Sequence, residues 1–340
     1  LYSGKAKFKI YSPDGLFPER EFELELVSGI VQPEANTYML KAGAKQGIFI
    51  PVSRVNTAYE YYKKLLDHDA VLSGKQGLPG SKEDFMLNKL DADDDWRVNI
   101  VWTDIKEAGG HNDIEKAGLS ELSEQGGSGL GSYIYVKPGQ TPGNVLIEIK
   151  SGKIKGNPTL WSWHIWIVDK YPTVLDVASQ GGDGPKTVHL MSHLLGAYER
   201  VQSQYSADAY REFGMQYQWG RKDPFPAHDV RVNKNFYDGS GKLFDFLWEQ
   251  RGNDVDYGKT DAQQARGAAL TMKQSIEHPN AIVSHQSFWL YECFPHRFVS
   301  YFKDRWVFLY PWNQPSQTGN PEDVGGKTVF DPSPYGFRIM

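Results

Sequence analysis

Two histidines four residues apart, His189 and His193, have the spacing at which a helix presents two zinc ligands on one face. A zinc-protease helix also needs a glutamate beside the first histidine, and Leu190 stands there instead. The surrounding Thr-Val-His-Leu-Met run is typical of a strand, on which residues four apart lie about 13 Å from each other. Two side chains at that separation cannot share one ion, so the sequence predicts no metal site here.

An acidic cluster formed by Asp91, Asp93, Asp94 and Asp95 precedes a strand pattern that begins at Trp96. Calcium favours several carboxylate oxygens around one ion. The central glycine and the closing glutamate of a calcium-binding loop are missing from this run. We therefore interpret the cluster as a solvated turn, and we expect neither a metal ion nor another cofactor in this protein.

The sequence contains no complete catalytic motif. Cys293 is the one cysteine and has His296 nearby, but in such an aromatic-rich segment a small buried thiol is the commoner role. There is no Gly-x-Ser-x-Gly turn and no phosphate-binding loop. A glycosidase needs only two carboxylates at a set separation, and the 42 acidic residues leave that option open. We expect a protein that is not an enzyme, and a secreted hydrolase is an alternative.

Tryptophans could form a platform for a sugar, because aromatic faces pack on the apolar faces of sugar rings. The weak candidates for such a platform are Trp161, Trp163, Trp219 and Arg221. Trp161 and Trp163 alternate within one strand pattern, which is typical of core residues. In the loop after Trp219 we expect Arg221 to contact Asp223 and to pin the loop, rather than to form a catalytic pair.

Strands must position these residues, because apolar and polar residues alternate through much of the first half of the chain. An aromatic content of 14% and 34 glycines also favour strands joined by turns. The alternation predicts strands at residues 22–27, 47–52, 96–102, 133–137 and 145–150. In the third of these, Trp96, Val98, Ile100 and Trp102 are predicted to share one face. A short helix is predicted over Asn56–His68, capped by Asn56 or Thr57.

The second half of the chain has a different pattern. Trp161–Val168 reads as a strand that is apolar on both faces except for Ser162 and His164, so we expect it to be covered on both sides. Helical patterns follow at Ser206–Phe213, Leu243–Trp248 and Ala262–Ile276. We therefore predict a β-rich protein of two domains. Residues 1–155 would form an antiparallel β-sandwich of the immunoglobulin or transthyretin kind, and residues 156–340 an α+β domain.

Composition excludes several classes of protein. The 340 residues include 37 Lys and Arg against 42 Asp and Glu, and a net charge of -5 argues against a nucleic-acid-binding surface. Hydrophobic residues make up 40% and charged residues 23%, which excludes bulk disorder. The longest apolar runs fall short of the roughly 18 residues that a membrane-spanning helix needs.

Five runs in the second half carry a family resemblance: Trp161–Asp169, Leu195–Ala197, Gly214–Pro226, Ser275–Asn280 and Lys327–Arg338. They resemble the fimbrillin-like surface proteins of Bacteroidetes-type bacteria, whose C-terminal module is the major paralogous domain. The first half resembles more weakly the β-sandwich module that often precedes it. The pattern departs from the family at Ser192–Leu194, where Asp-Arg-Asn is usual, and at Ser333, where cysteine is usual.

The resemblance implies a location at the cell surface, as a secreted lipoprotein that an N-terminal lipid anchors to the outer membrane. It also implies a C-type-lectin-like fold for the second domain and an adhesive or pilus-like role. The leading interpretation is a non-catalytic adhesin or fimbrial subunit whose partners are other surface or pilus subunits, or host and glycan ligands. The alternative is a surface glycan-binding lipoprotein that captures polysaccharide.

Two expectations concern the edges of the fold. We expect assembly or attachment to use backbone pairing at sheet edges of the first domain. Lys327–Phe330 alternates like a strand, and an apolar segment starts again at Gly336. Because a folded domain rarely stops where a strand begins, we expect further residues after Met340 that complete the second domain.

Overall fold

The computed structural model describes 4–10, 19–26, 29–73, 86–92, 94–105, 118–126, 132–152, 154, 156–181, 184–198, 212–217, 221–225, 236–238, 243–244, 272–280 and 327–337. Strands dominate these residues, as the sequence predicted. The strands of the first half are β1 (Gly4–Ile10), β2 (Arg20–Leu26), β3 (Gly29–Val31), β4 (Thr37–Lys41), β5 (Gly47–Pro51), β6 (Trp96–Thr103), β7 (Leu119–Gly126), β8 (Ser132–Pro138) and β9 (Gly143–Ser151). Those that follow are β10 (Thr159–Val168), β11 (Val174–Gly181), β12 (Gly184–Met191), β13 (Phe236–Tyr237) and β14 (Leu243–Phe244). The helices are α1 (Arg54–Ser73) and α2 (Met272–Glu277).

These strands form two larger sheets and two ribbons. The six-stranded sheet has the order β14-β13-β6-β9-β10-β4, and the four-stranded sheet has the order β3-β5-β8-β7. The ribbons are β1-β2 and β11-β12. Most pairs are antiparallel, but β10 runs parallel to β4, and β3 runs parallel to β5. This arrangement is consistent with a β-sandwich, and it contains mixed sheets as well as antiparallel ones.

One hydrophobic core takes side chains from both larger sheets and from helix α1. It includes Ile50 of β5, Ile134 of β8, Ile147 of β9 and Trp163 of β10. The boundary predicted at residue 155 falls between β9 and β10, which are hydrogen-bonded neighbours. The two predicted domains therefore contribute strands to a single sheet.

Each of the five strands predicted in the first half lies on an observed strand, within one to two residues at most ends. The predicted alternation of β6 is wrong at its end. A register irregularity between Ile100 and Trp102 leaves Val101 as an extra residue, so Ile100 lies opposite Ile147 but Trp102 lies opposite Leu146. Because a bulge reverses the alternation, Trp102 packs with Leu146 in a second apolar cluster on the other face.

The helix predicted over Asn56–His68 is confirmed inside the longer α1, but its capping was wrong. The helix begins at Arg54, where the backbone carbonyl of Ser53 accepts from the amides of Asn56 and Thr57. The Asn56 amide group instead pairs with the backbone N–H and C=O of Leu90, at 2.8 Å each. Asn56 therefore ties the helix to the segment that leads into β6.

Two predictions in the last third of the chain were also wrong. Leu243 and Phe244 belong to a strand rather than a helix, because they pair with Phe236 and Tyr237. Residues 328–330 do not continue a strand but lead into a turn. The predicted helix at Ser206–Phe213 and the part of Ala262–Ile276 before Met272 lie almost wholly outside the described residues. None of the described helices is long and apolar enough to span a membrane.

The segment 327–337 closes over the core beside α1. The ring of Phe330 packs against Tyr61, Tyr62 and Trp161, with ring centroids 6.0 to 6.1 Å apart. Asn36 donates to the carbonyls of Val329 and Asp331 at 2.7 and 2.8 Å. A segment nearly 300 residues away in sequence is thus fixed beside the start of β4.

Substitution Phe330→Ala should lower the free energy of unfolding by about 3–5 kcal/mol, because it leaves a cavity among three aromatic rings. Urea unfolding followed by tryptophan fluorescence measures this. Tyr335→Ala is the matched control in the same segment, because Tyr335 is 67% exposed and its loss should cost less than about 0.5 kcal/mol. Equal losses in the two variants would contradict this packing.

Candidate functional site

The polar side chains with chemical potential gather around β10, all ten residues of which are buried. Its odd-numbered residues from Trp161 to Ile167 enter the main core. The side chains of Ser162 and His164 point to the opposite face, where apolar cover alone would leave them without hydrogen bonds. Two separate polar clusters, one around each of these side chains, form the candidate site.

The first cluster joins Ser162 to Lys222 and Asp223. Asp223 Oδ1 accepts from Ser162 Oγ at 2.7 Å and from Lys222 Nζ at 2.6 Å. Lys222 Nζ also contacts Ser162 Oγ and donates to the backbone carbonyl of Ser162 at 3.1 Å. All three residues are at most 3% exposed. β4 pairs with β10 only from His164 to Val168. Lys222 therefore hydrogen-bonds the backbone of β10 at Ser162, where β4 is not paired with it.

A serine beside a lysine is an arrangement that some hydrolases use, with the neutral amine as the base. Here the three N–H groups of the ammonium are matched by three acceptors, and the charge lies against a carboxylate. Burial lowers the pKa of Lys222 to about 8, while Asp223 opposes that shift. At neutral pH most of the amine is therefore protonated, and in this geometry Lys222 and Asp223 form a buried ion pair.

The second cluster runs from His164 through Asn144 to Asp104. Asn144 Nδ2 donates to Asp104 Oδ2 at 2.8 Å and to the carbonyl of Gly196 at 3.0 Å. These two acceptors fix the orientation of the amide, so Asn144 Oδ1 faces His164 Nε2 at 2.8 Å. His164 must then carry its proton on Nε2, because two acceptors cannot share a hydrogen bond.

The other ring nitrogen of His164 faces two hydroxyl groups. Thr37 Oγ1 lies 3.2 Å from Nδ1, but it donates its proton to the carbonyl of Pro332 at 2.5 Å. The hydroxyl of Tyr217 lies 3.4 Å from Nδ1 and also hydrogen-bonds Thr37. Burial lowers the pKa of His164 to about 3 and raises the pKa of Tyr217 well above its usual value. Both groups are therefore neutral over the physiological range.

Arg221 is also buried, but it does not contact Asp223 as predicted. Its terminal nitrogen Nη2 lies 3.2 Å from the carbonyl of Ser275 and 3.1 Å from that of His278, at the C-terminal end of α2. A cation near the last carbonyls of a helix satisfies those acceptors. The correct pairing is Lys222 with Asp223, and Arg221 instead joins this loop to α2.

The two tryptophans of β10 that were predicted as candidates for a sugar platform are core residues. Trp161 and Trp163 are both buried in the core with no exposed surface. The indole N–H of Trp161 donates to Asn36 Oδ1 at 3.2 Å, and Lys222 Nζ lies 4.5 Å from the ring centroid. Trp219 lies outside the described residues. In this conformation neither described indole presents a face to solvent.

The remaining residues singled out from the sequence lie apart from the two clusters. His189 lies on β12 as predicted and contacts Asp176 at 2.6 Å, whereas His193 contacts Ser192. Asp91 and Asp94 form a turn, in which the amide of Asp91 donates to Asp94 Oδ2 at 2.6 Å. Cys293 and His296 lie outside the described residues. In the part of the chain that the structure describes, no three metal-ligating side chains come together.

Sequence reasoning missed Lys222, Asn144 and Asp104 as members of these clusters. The signal was available in Ser162 and His164, since two polar residues inside a strand covered on both faces require buried partners. What the sequence could not supply was which distant residues those partners are.

Comparison with known proteins adds no further guide, because no family model, curated protein or solved structure matches the chain.

Lys222→Met should lower the free energy of unfolding by about 3–5 kcal/mol, because it leaves the carboxylate of Asp223 buried without its cation. The triple variant Lys222→Met, Asp223→Leu, Ser162→Ala removes the charges and the hydroxyl together and should recover most of that loss. Urea unfolding of both variants measures the difference. A triple variant as unstable as the single one would argue against an electrostatic origin.

His164 should make the fold sensitive to acid. Because burial lowers its folded pKa to about 3, only the unfolded chain binds this proton between that value and about 6.5. Its stabilising contribution is complete above that window and falls as the pH falls through it. Between pH 7 and 5 the wild-type chain should lose about 2 kcal/mol more than His164→Gln does.

Urea unfolding at pH 7, 6 and 5 measures this difference, and histidines common to both chains cancel in the comparison. His189→Gln is the control for loss of a histidine at an exposed strand position, and it should shift stability by less than about 0.5 kcal/mol. Parallel curves for the wild type and His164→Gln would contradict the assignment of His164 as a buried neutral histidine.

Proposed function

We propose that this protein is a non-catalytic adhesin or fimbrial subunit at the bacterial cell surface, attached to the outer membrane by an N-terminal lipid. Its partners are other surface subunits or host and glycan ligands. The proposal starts from the fimbrillin-like resemblance in the second half of the chain. It gains support from what the residues of that resemblance do in the fold.

The described parts of the resembling runs meet around β10. Trp166 donates its indole N–H to the carbonyl of Ala197 at 2.9 Å, and Asn144 binds the carbonyl of Gly196. Gly196 has a φ of 86°, and a Cβ there would lie 2.5 Å from the side chain of Met215. Glycine is needed at this position because both the backbone angle and the close approach exclude a side chain. These contacts serve packing, which favours a structural role for the motifs over a chemical one.

The observation that carries the proposal is the short edge strand β3. It pairs with β5 on one side, and no other described strand covers its second side. Ile30 and Val31 on this strand are 58% and 55% exposed. Unpaired backbone groups flanked by exposed apolar side chains are what a partner strand adds to. Neither residue carries the charge with which edge strands commonly block such pairing.

The finer fold assignment belongs to the same proposal. We propose a sandwich module up to about residue 155 and an α+β, lectin-like module after it. Because β9 and β10 are adjacent in one sheet, such modules would share that sheet rather than be joined by a free linker.

A glycan-binding surface lipoprotein is the second candidate. Exposed tyrosines favour it, since Tyr171 and Tyr335 are 53% and 67% exposed and could pack on sugar faces. A glycan array separates the two candidates. Specific binding that is lost in Tyr171→Ala or Tyr335→Ala would support the second, because a purely structural subunit need not bind sugar.

The test of the first candidate uses beads coated with the full chain and incubated with host cells or with bacteria that display surface subunits. The variant Ile30→Lys, Val31→Lys should reduce bead attachment about fivefold or more, which corresponds to about 1 kcal/mol. Val174→Lys is the matched control, since Val174 is equally exposed on another strand, at 55%. Attachment unchanged by the β3 variant, or hydrolysis of a polysaccharide by the pure chain, would overturn the proposal.

A further inference from the structure

The ribbon β1-β2 separates its residues by charge. Its antiparallel register sets Lys5 opposite Glu25, Lys7 opposite Glu23 and Lys9 opposite Glu21. The positions between them, which belong to the other face, include Ala6 opposite Leu24 and Phe8 opposite Phe22. All three lysines therefore lie on one strand and all three glutamates on the other, on the same face of the ribbon.

Both outer edges of this ribbon are open among the described strands, since neither β1 nor β2 belongs to a larger sheet. A two-stranded ribbon is marginally stable in water, and three or more strands are usually needed. Two of the charged side chains, Lys7 and Glu21, keep 67% and 49% of their surface accessible while lying 3.4 Å apart. Another strand could add to either edge.

The charges decide which strand can add. Along a strand, the backbone N–H and C=O groups of every second residue point toward the same edge. When two such edges pair in antiparallel fashion, the residues whose backbone groups point into the contact lie opposite each other, and so do the residues between them. If β1 paired with β1 of a second copy, lysines would lie opposite lysines. If β2 paired with β2, glutamates would lie opposite glutamates. Like charges directly opposite each other destabilise a strand pair.

Pairing β1 of one copy with β2 of the next has the opposite result. The register found within the ribbon can repeat across the new edge, so that each lysine row lies between two glutamate rows. Opposite charges facing each other stabilise such a pair. The contact joins two different surfaces, so each bound copy still offers one free edge, and the association does not close on itself as a twofold dimer does.

We infer that the β1-β2 ribbon is a head-to-tail self-association surface, on which the lysine edge of one copy of this chain binds the glutamate edge of another. The occupant is a second copy of the same chain, since its charge pattern complements the ribbon and the ribbon's own pairing shows the register. The other ribbon lacks this separation of charges, because the positions facing each other include Val177 with Val188 and Ala178 with Thr187. This inference does not depend on the adhesin proposal.

An exchange of charges tests it. In the exchanged chain, Lys5→Glu, Lys7→Glu and Lys9→Glu are combined with Glu21→Lys, Glu23→Lys and Glu25→Lys, so every pair within the ribbon stays opposite in sign. Wild-type and exchanged chains should each associate with themselves as concentration rises. A mixed contact sets like charges against each other, so wild-type and exchanged chains should bind each other at least about tenfold more weakly.

Sedimentation velocity of the full chain at low salt measures self-association, and energy transfer between chains tagged with donor and acceptor fluorophores measures mixing. Sorting of the two chains into separate assemblies, weakened by added salt, supports the inference. A wild-type chain that stays monomeric at high concentration overturns it. Random mixing overturns it as well, because association would then use another surface.

Preferential binding between the wild-type and exchanged chains also overturns the inference, since that result requires edges of the same kind to pair. If the six substitutions prevent folding, the smaller exchange Lys7→Glu with Glu23→Lys gives the same qualitative outcomes. The sedimentation of the wild-type chain needs no variant at all.

Discussion

The fold depends on the need to hydrogen-bond two polar side chains inside a fully buried strand. Ser162 and His164 lie on β10 among tryptophans and aliphatic residues, where an unpaired hydroxyl or imidazole would cost on the order of 1–3 kcal/mol. Asp223 and Asn144 meet that need from 61 and 20 residues away in sequence. The loop around residues 221–225 and the turn at residues 195–197 are held in place as a result.

The same requirement brings the segment 327–337 to the start of β4. Asn36 and Thr37 are buried beside β10, and they bind carbonyls of Val329, Asp331 and Pro332. Within that segment, Lys327 donates to the carbonyls of Pro334 and Phe337 at 2.9 and 3.0 Å, which closes the turn on itself. The contacts of Asn36 and Thr37 span 293 to 295 residues, and contacts of such long sequence separation slow folding because the chain between them must first be closed into a loop.

Alternation in the sequence was enough to predict β2, β5, β6, β8 and β9, because successive side chains of a strand point to opposite faces. β10 was predicted instead from a run that is apolar on both faces. Alternation could not predict the extra residue Val101 in β6, since a bulge is set by the partner strand and leaves no mark on composition. Reasoning from the sequence also predicted a contact of Asp223 with Arg221, whereas Asp223 contacts Lys222. Arg221 and Lys222 are adjacent cations on one loop, and the sequence gives no reason to prefer either as the partner of Asp223. In the fold, carbonyls at the end of α2 bind Arg221, whereas the carbonyl of Ser162 at the edge of β10 binds Lys222.

The buried polar residues of β10 therefore fix its register. A slip by one residue would turn Ser162 and His164 into the aromatic core beside Phe330, and it would move Trp161 and Trp163 to the face that holds Asp223. An apolar strand without these two residues would tolerate that slip much better, since either face would bury hydrocarbon. A buried ion pair adds little net stability over a well-packed apolar replacement, because desolvation offsets the attraction. We infer that what Lys222 and Asp223 contribute is discrimination, because they bind Ser162 in one register and would lose those hydrogen bonds after a slip.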